Sequence, residues 1–271
     1  MDWRGSKVTA PTPETVCFDT ATAVIVGGTA GVGLAAARKF RLAGVPRIVI
    51  VGRDVTRGEA AAQTLRGVAF GGEVRFLSAD ANRAEDAARI VAATLDWFGS
   101  LEILLNSTVG TAAPALLKDT PLEALQTILV EQAMGPILMS RAALPAMVAA
   151  RRGVILNIAS DAAKLATPGE TVIGAAMAAI VMFTRTLAME AKRDGIRVNA
   201  LTPSLIAGTL THQRMQQSPF AAKLFEKAGK LAALGVAEAD DLADLAVFLA
   251  SPAARRITGQ AISANGGISA A

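Results

Sequence analysis

Short runs of β-branched residues alternate with longer alanine- and leucine-rich stretches along almost the whole chain. The short runs are typical of buried parallel strands, and the longer stretches have the period of the helices that cover such strands. The predicted strands are 22–26, 47–51, 73–77, 101–105, 153–158, 197–201 and 261–264. The predicted helices are 32–43, 56–65, 84–98, 122–150, 170–194 and 240–250. This alternation predicts a single-domain α/β fold, a doubly wound parallel sheet of about seven strands with helices on both faces.

The composition agrees with one compact domain. At 52% hydrophobic and 18% charged residues, the 271-residue chain can bury a large core. Residues 1–20 lack the apolar segment of a secretory signal and are predicted to be an N-terminal extension of a domain over 21–271. The longest apolar run, 172–183, is too short to span a bilayer, and the single Cys17 excludes a disulfide framework or a cysteine-rich zinc site. We therefore expect a cytoplasmic protein with no membrane partner and no metal site.

Charge and aromatic content argue against a nucleic-acid partner. The net charge is only +4, the basic residues are scattered, and the aromatic residues are nine Phe and two Trp. The chain has one histidine, His212, and no tyrosine. Catalytic machinery built on several histidines or on a phenol is thus excluded from the start.

A glycine-rich turn, Gly27-Gly28-Thr29-Ala30-Gly31-Val32-Gly33, joins the first predicted strand to the first predicted helix. Glycines at this point let the turn tighten and let backbone N–H groups at the helix N-terminus approach a pyrophosphate. The position between strand and helix makes the signal more specific than the glycines alone. It predicts a Rossmann-like dinucleotide site.

Further segments follow one familiar pattern. Asn106 opens a segment similar to Asn-Asn-Ala-Gly, Ser160 ends the fifth predicted strand, and Pro203 follows a segment Arg-Val-Asn-Ala. With the glycine turn, and with the C-terminal segments 258–260 and 265–267, these motifs resemble the short-chain dehydrogenase/reductase family from about residue 20 onward. The resemblance implies a dinucleotide held by Gly27, Thr29, Gly31, Val32, Gly33, Arg53, Asp80, Asn106, Pro203 and Ile206.

The residue after the second predicted strand bears on the choice of dinucleotide. Relatives specific for NAD tend to place an acidic residue there, whereas this chain has Gly52 and Arg53. An arginine can bond the oxygens of a 2′-phosphate and stack on adenine. We therefore expect NADP rather than NAD, although Arg53 can also be read as a solvated residue that starts a helix.

The family's catalytic positions are largely lost. By the resemblance, a serine, a tyrosine and a lysine act together there, and an asparagine on the preceding helix assists them. Ser160 is kept, but the tyrosine and lysine positions hold Ile173 and Met177, and the asparagine position holds Gln132. Neither replacement side chain has a proton to deliver to an alkoxide, so the tyrosine-lysine mechanism is excluded. Ser160 and Gln132 remain as candidate catalytic residues.

Four ionisable residues in segments that should border the cleft are possible substitutes: Asp161, Lys164, Glu170 and His212. Each can equally be a solvated surface residue, and a general acid must lie within hydrogen-bond reach of its substrate. The segment 203–235, which breaks the regular alternation, is predicted to be an irregular lid over the substrate.

Two functions follow from these observations. One is an NADP-dependent oxidoreductase acting on a small molecule whose hydride transfer needs no phenolic acid, for example at an iminium or other cationic carbon. The other is a non-redox protein of the same fold: a ligand sensor, a partner subunit, or a lyase or isomerase. The methionines at helical spacing in 122–150 and 170–194 predict core or interface packing. By the resemblance, these two helices form a four-helix interface between subunits, and their apolar faces predict a homodimer or homotetramer.

Overall fold

A computed structural model describes residues 15–69 and 71–270 of the chain. Most of the predicted N-terminal extension, residues 1–14, therefore lies outside the described residues. The remainder of that segment packs on the domain: Val16 is buried, and the Phe18 ring meets the Phe40 ring edge-on with centroids 6.0 Å apart.

The core is a seven-stranded sheet in which all neighbouring strands are parallel. The strands in chain order are β1 (Thr22–Val26), β2 (Arg47–Gly52), β3 (Glu73–Ser78), β4 (Ile103–Asn106), β5 (Gly153–Ile158), β6 (Ile196–Leu201) and β9 (Ala261–Ile262). Their order in the sheet is β3-β2-β1-β4-β5-β6-β9. The predicted doubly wound α/β fold is confirmed.

Six helices cover the two faces of the sheet. They are α1 (Gly31–Leu42), α2 (Val55–Arg66), α3 (Ala84–Phe98), α4 (Ala124–Ala150), α5 (Thr171–Ala191) and α8 (Ala239–Ala250). Alternate strand residues point to opposite faces: Ile25 packs with α1, α2 and α8 in one cluster, and Val24 with α3, α4 and α5 in the other. The strands thus contribute side chains to a hydrophobic core on each face of the sheet. For this reason their sequences are apolar almost throughout and do not alternate between apolar and polar residues.

The helices α4 and α5 are long and apolar enough, by length and composition, to cross a membrane. The prediction from the run 172–183 did not anticipate this, because it counted only uninterrupted apolar residues. Both helices pack against the sheet instead, with Met139 and Met147 of α4 fully buried. On α5, Met177 is buried, while Met182 and Met189 are 59% and 63% exposed, so the methionines divide between the core and an open face.

The lid segment 203–235 is more regular than predicted. It contains α6 (Leu210–Gln216) and α7 (Pro219–Leu231) and begins with a short strand, β7 (Ile206–Ala207), which pairs in parallel with β8 (Ala237–Glu238). The expectation of an irregular connection was therefore wrong. Thr209 and Ser218 cap the two helices through their hydroxyls, and Pro219 starts α7. These start signals are visible in the sequence but were outweighed by the mixed polar and apolar pattern.

Candidate functional site

A cleft of about 580 Å³ lies at the carboxyl ends of the strands. It opens where β1 is flanked by β2 on one side and β4 on the other, the point at which the chain reverses its direction of winding. Ligands of doubly wound sheets bind at this position because the loops diverge there and leave a crevice. The lid segment covers the cleft with residues from Pro203 to Phe225.

The glycine turn forms one wall of the cleft, and its geometry requires glycine at Gly27 and Gly33. Gly27 has φ +76°, and a Cβ placed on it would lie 2.3 Å from the carbonyl oxygen of Ser107. A Cβ on Gly33 would lie 2.2 Å from the carbonyl oxygen of Gly27, so the first turn of α1 packs directly on the loop. No side chain caps the N-terminus of α1, whose free N–H groups therefore face the cleft. This geometry fits a pyrophosphate.

Two arginines stand at the far end of the cleft, where β2 ends. Arg53 is exposed and lines the cleft as predicted, and Arg57 on the first turn of α2 lines it as well. The Arg57 Nε donates to the Thr29 hydroxyl at 3.4 Å, which directs this guanidinium toward the glycine turn. The sequence analysis missed Arg57, although its spacing from Arg53 by one helical turn is a usable signal. Asp80, also predicted, lines the same end.

Two predicted cofactor residues, Gly33 and Asn106, lie behind the cleft wall and do not line the cleft. Asn106 is buried, and its Nδ2 donates to the Asn157 Oδ1 at 2.8 Å across β4 and β5. The remaining predicted cofactor residues, Gly27, Thr29, Gly31, Val32, Pro203 and Ile206, line the cleft. Two further lining residues, Asn82 and Thr108, each carry a buried oxygen with no hydrogen-bond partner among the described residues. Both oxygens lie 3.2 Å from the position that a Cβ on Gly135 would occupy, so they face α4 and not the open cleft.

The predicted catalytic residues meet at the opposite end of the cleft. The Ser160 hydroxyl accepts a hydrogen bond from the Ala162 N–H at 3.2 Å, so its own proton is free to be donated. The Gln132 Oε1 accepts from the Gly110 N–H at 3.1 Å, which ties α4 to the loop after β4. Ile173 and Met177 line the same end. The wall opposite Ser160 is therefore apolar where a proton donor would be needed.

Of the four possible substitute residues, two are held in a separate network. Asp161 is buried and accepts hydrogen bonds from the side chains of Ser263, Asn265 and Ser269, and Lys164 pairs with it at 3.5 Å. This network ties the C-terminal segment to the loop after β5. Neither residue lines the cleft.

The other two, Glu170 and His212, do line the cleft. The His212 ring lies 3.2 Å from the Gln216 Nε2 on the exposed side of α6. Burial raises the pKa of the Glu170 carboxyl above its usual range. Among residues 15–69 and 71–270, no group of three or more His, Cys, Asp and Glu could hold a metal ion.

The fold and this site define the class of dinucleotide-binding Rossmann-type proteins. Residues 27–269 match the family model described as enoyl-(acyl carrier protein) reductase. The chain belongs to the short-chain dehydrogenase/reductase family of oxidoreductases, whose members use NAD(H) or NADP(H).

Relatives of known name agree with this assignment. The chain is 29% identical over 250 residues to the 2-(R)-hydroxypropyl-CoM dehydrogenase of Xanthobacter autotrophicus, covering 92% of this chain and 98% of that one. It is 31% identical over 246 residues to a 3-oxoacyl-(acyl-carrier-protein) reductase of Chlamydia pneumoniae, covering 90% and 95%. A short-chain type dehydrogenase/reductase from Mycobacterium ulcerans superposes with a TM-score of 0.85 at 27% identity, covering 93% and 91%.

Proposed function

We propose that this protein is an NADP(H)-dependent oxidoreductase that transfers hydride to a cationic carbon of a small molecule, such as an iminium carbon, or in the reverse direction from the carbon next to the nitrogen of the corresponding amine. The observation that carries the proposal is the contrast between the two ends of one cleft. The dinucleotide end has the glycine turn and two arginines, whereas the catalytic end has apolar Ile173 and Met177.

The dinucleotide end fits NADP(H) on structural grounds. Gly31 has φ +51°, a backbone conformation that favours glycine, and lines the cleft at the N-terminus of α1, where a phosphate can contact backbone N–H groups. Arg53 and Arg57 offer two guanidinium groups for a 2′-phosphate. Bound NADPH supplies a hydride to the substrate.

The catalytic end suits a substrate that needs no proton. A ketone becomes an alkoxide when it accepts hydride and requires an acid within hydrogen-bond reach. An iminium carbon becomes a neutral amine in the same step, because the π electrons of the C=N bond become the nitrogen lone pair. In this reading Ser160 and Gln132 position the substrate and the loop beneath it, and Ile173 excludes water from the reacting carbon.

Cofactor choice gives the first test. Arg53→Ala should weaken NADPH binding by about 10- to 100-fold, the loss expected for one charge-assisted hydrogen bond, and leave NADH binding almost unchanged. Nicotinamide fluorescence titration measures both dissociation constants. Arg83→Ala is the matched control, because Arg83 is exposed and lies outside the cleft. Equal losses for NADPH and NADH, or no NADPH binding at millimolar concentration in the wild type, would contradict the proposal.

Substrate charge gives the second test. With NADPH, the wild type should reduce N-methyl-3,4-dihydroisoquinolinium, a permanent cation, at a kcat/KM at least about 100-fold above that for the ketone 1-tetralone, since general acid catalysis contributes at least this factor to carbonyl reduction. Absorbance of the nicotinamide follows both reactions after subtraction of the protein-free rate. Preference for the ketone would show that an acid acts in this cleft despite Ile173.

One observation favours the non-redox alternative. Met177, in the position of the family's lysine, is buried with Ala176 and Ile180 and offers no hydrogen bond to a nicotinamide ribose. A sensor, partner subunit, lyase or isomerase of this fold would bind a nucleotide or small ligand without oxidising it. Tight NADPH binding with no hydride transfer to any cation or ketone would support this alternative.

A further inference from the structure

A carboxyl group lies in the cleft beside the position that a proton donor would occupy. Glu170 is the residue immediately before α5, one helical turn ahead of Ile173, and both residues line the cleft together with Ser160. Residues separated by three positions share a face at the start of a helix. The carboxyl is thus placed at the catalytic end of the cleft.

An apolar side pocket of about 160 Å³ adjoins this point. It shares Ala112 and Ile173 with the main cleft, and the two neighbours of Glu170, Gly169 and Thr171, line it. Its remaining walls are mostly apolar, formed by Ala113, Ala115, Leu117, Asp119, Thr120, Pro121, Ala124, Ile128 and Val172. A hydrogen bond of 2.8 Å from the Ala115 N–H to the Gly169 carbonyl joins the two sides of the pocket. Glu170 therefore lies at the junction between the main cleft and the apolar side pocket.

The Glu170 carboxyl has no hydrogen bond or ion pair with any residue in the described part of the chain. The nearest candidate cation in sequence, Lys164, pairs with Asp161, Arg57 donates to the Thr29 hydroxyl, and the charge of Arg53 acts on the Glu131 carboxylate. His212 and Arg214 reach the cleft from α6, where their side chains contact Gln216 and Thr211. Burial raises the pKa of this carboxyl because nothing nearby compensates its charge. A buried carboxylate without a partner is unfavourable, and a bound cation removes that cost.

We propose that Glu170 is the binding group for the cationic nitrogen of an amine-derived substrate whose apolar body enters the side pocket. This inference rests on the proposed function and adds the substrate class: cyclic or N-alkylated iminium ions and the corresponding amines. In the reductive direction the hydride electron pair forms the new C–H bond, the C=N π pair becomes the lone pair on nitrogen, and the nicotinamide is oxidised. No proton enters or leaves, so Glu170 has only to hold the charge.

The test uses the full-length protein with Glu170→Gln, which keeps the shape of the side chain and removes its charge. Glu123→Gln is the matched control, because Glu123 precedes the long apolar helix α4 just as Glu170 precedes α5, and it is exposed outside the cleft. The first measurement is calorimetric binding of N-methyl-1,2,3,4-tetrahydroisoquinoline, a cation at pH 7, without cofactor. We expect Glu170→Gln to weaken this binding at least about 10-fold, as for loss of a partly buried ion pair, and Glu123→Gln to leave it unchanged.

The second measurement is steady-state reduction of the N-methyl-3,4-dihydroisoquinolinium cation by NADPH. Because the nitrogen charge is present from the start, Glu170→Gln should raise KM at least about 10-fold and change kcat by less than about 3-fold. Folding is checked by thermal unfolding at pH 8. There Glu170→Gln should be at least as stable as the wild type, because a carboxyl with a raised pKa loses its favourable contribution as the pH rises through that pKa.

The outcomes separate this inference from the proposed function. Amine binding that depends on Glu170, with no hydride transfer in the wild type, would support the cation site and overturn the proposed redox function. Reduction of the cation that is unaffected by Glu170→Gln would overturn the cation site and leave the proposed function standing. A loss confined to kcat that follows one ionisation in the pH profile would make Glu170 a general acid and also overturn the cation site. Failure of the wild-type protein to bind the amine would likewise overturn the cation site.

Discussion

Replacement of Gly27 by alanine should destabilise the fold by about 2–4 kcal/mol and abolish measurable NADPH binding. Two effects combine at this position. The backbone has φ +76°, which disfavours any side chain, and the new Cβ would lie 2.3 Å from the Ser107 carbonyl oxygen. Relief of that contact must separate the glycine turn from the loop after β4. Urea unfolding measures the first loss, and nicotinamide fluorescence measures the second.

Gly99 provides the matched control for this prediction. It has nearly the same backbone angle, φ +72°, at the end of α3, but a Cβ there would have no atom within 4 Å. Gly99→Ala should therefore cost only about 1 kcal/mol, the strain of the backbone angle alone, and leave NADPH binding intact. If both variants lost the same stability, the close approach of Gly27 to Ser107 would have no energetic importance.

The double variant Ile173→Tyr with Met177→Lys should gain the ability to reduce 1-tetralone, by at least about 100-fold over the wild type. Both positions line the cleft with Ser160, and the tyrosine would supply the missing acid while the lysine lowers its pKa. Met177 is only 5% exposed, so the lysine must extend its ammonium group toward the cleft to remain charged.

The single variants separate the contributions of the two residues. Ile173→Tyr alone should gain less, and Met177→Lys alone should gain nothing. Circular dichroism and NADPH titration establish that each variant folds and binds cofactor before its rate is compared. A double variant that folds, binds NADPH and still fails to reduce the ketone would indicate that this cleft does not position a carbonyl for hydride transfer.

Much of the fold could be predicted from the sequence because its strands are buried on both faces and its helices on one. After its first residue β1 is apolar throughout, β2 is apolar over 48–51, and the glycine turn marks where the first strand ends. The helices of the lid segment were not predicted because α6 has only seven residues and the start signals at Thr209 and Ser218 are local. Secondary-structure propensity predicts least well those segments whose structure depends mainly on tertiary packing.

The residues of the candidate site also fall into those that the sequence could identify and those that it could not. The glycine turn could be placed because backbone geometry demands glycine at Gly27 and Gly33, and Arg53 and Ile173 could be placed by the resemblance to the family's motif spacing. Glu170 could not be separated from Asp161, because the two acids differ only in their surroundings. Asp161 is enclosed by donors from the C-terminal segment, and Glu170 has none among the described residues. Such long-range neighbours leave no pattern in the local sequence.

The parallel pairing of β7 with β8 allows the segment between these two strands to vary in sequence and length without a change in the rest of the fold. Ile206 lies opposite Ala237, and the Leu234 N–H donates to the Gly266 carbonyl at 3.0 Å, so both ends of the stretch are fixed to the domain. Helices α6 and α7 can then diverge or lengthen at a small entropic cost, while the strands beneath keep their register. Changes confined to the segment between β7 and β8 can therefore alter substrate specificity, while the glycine turn and the sheet stay the same.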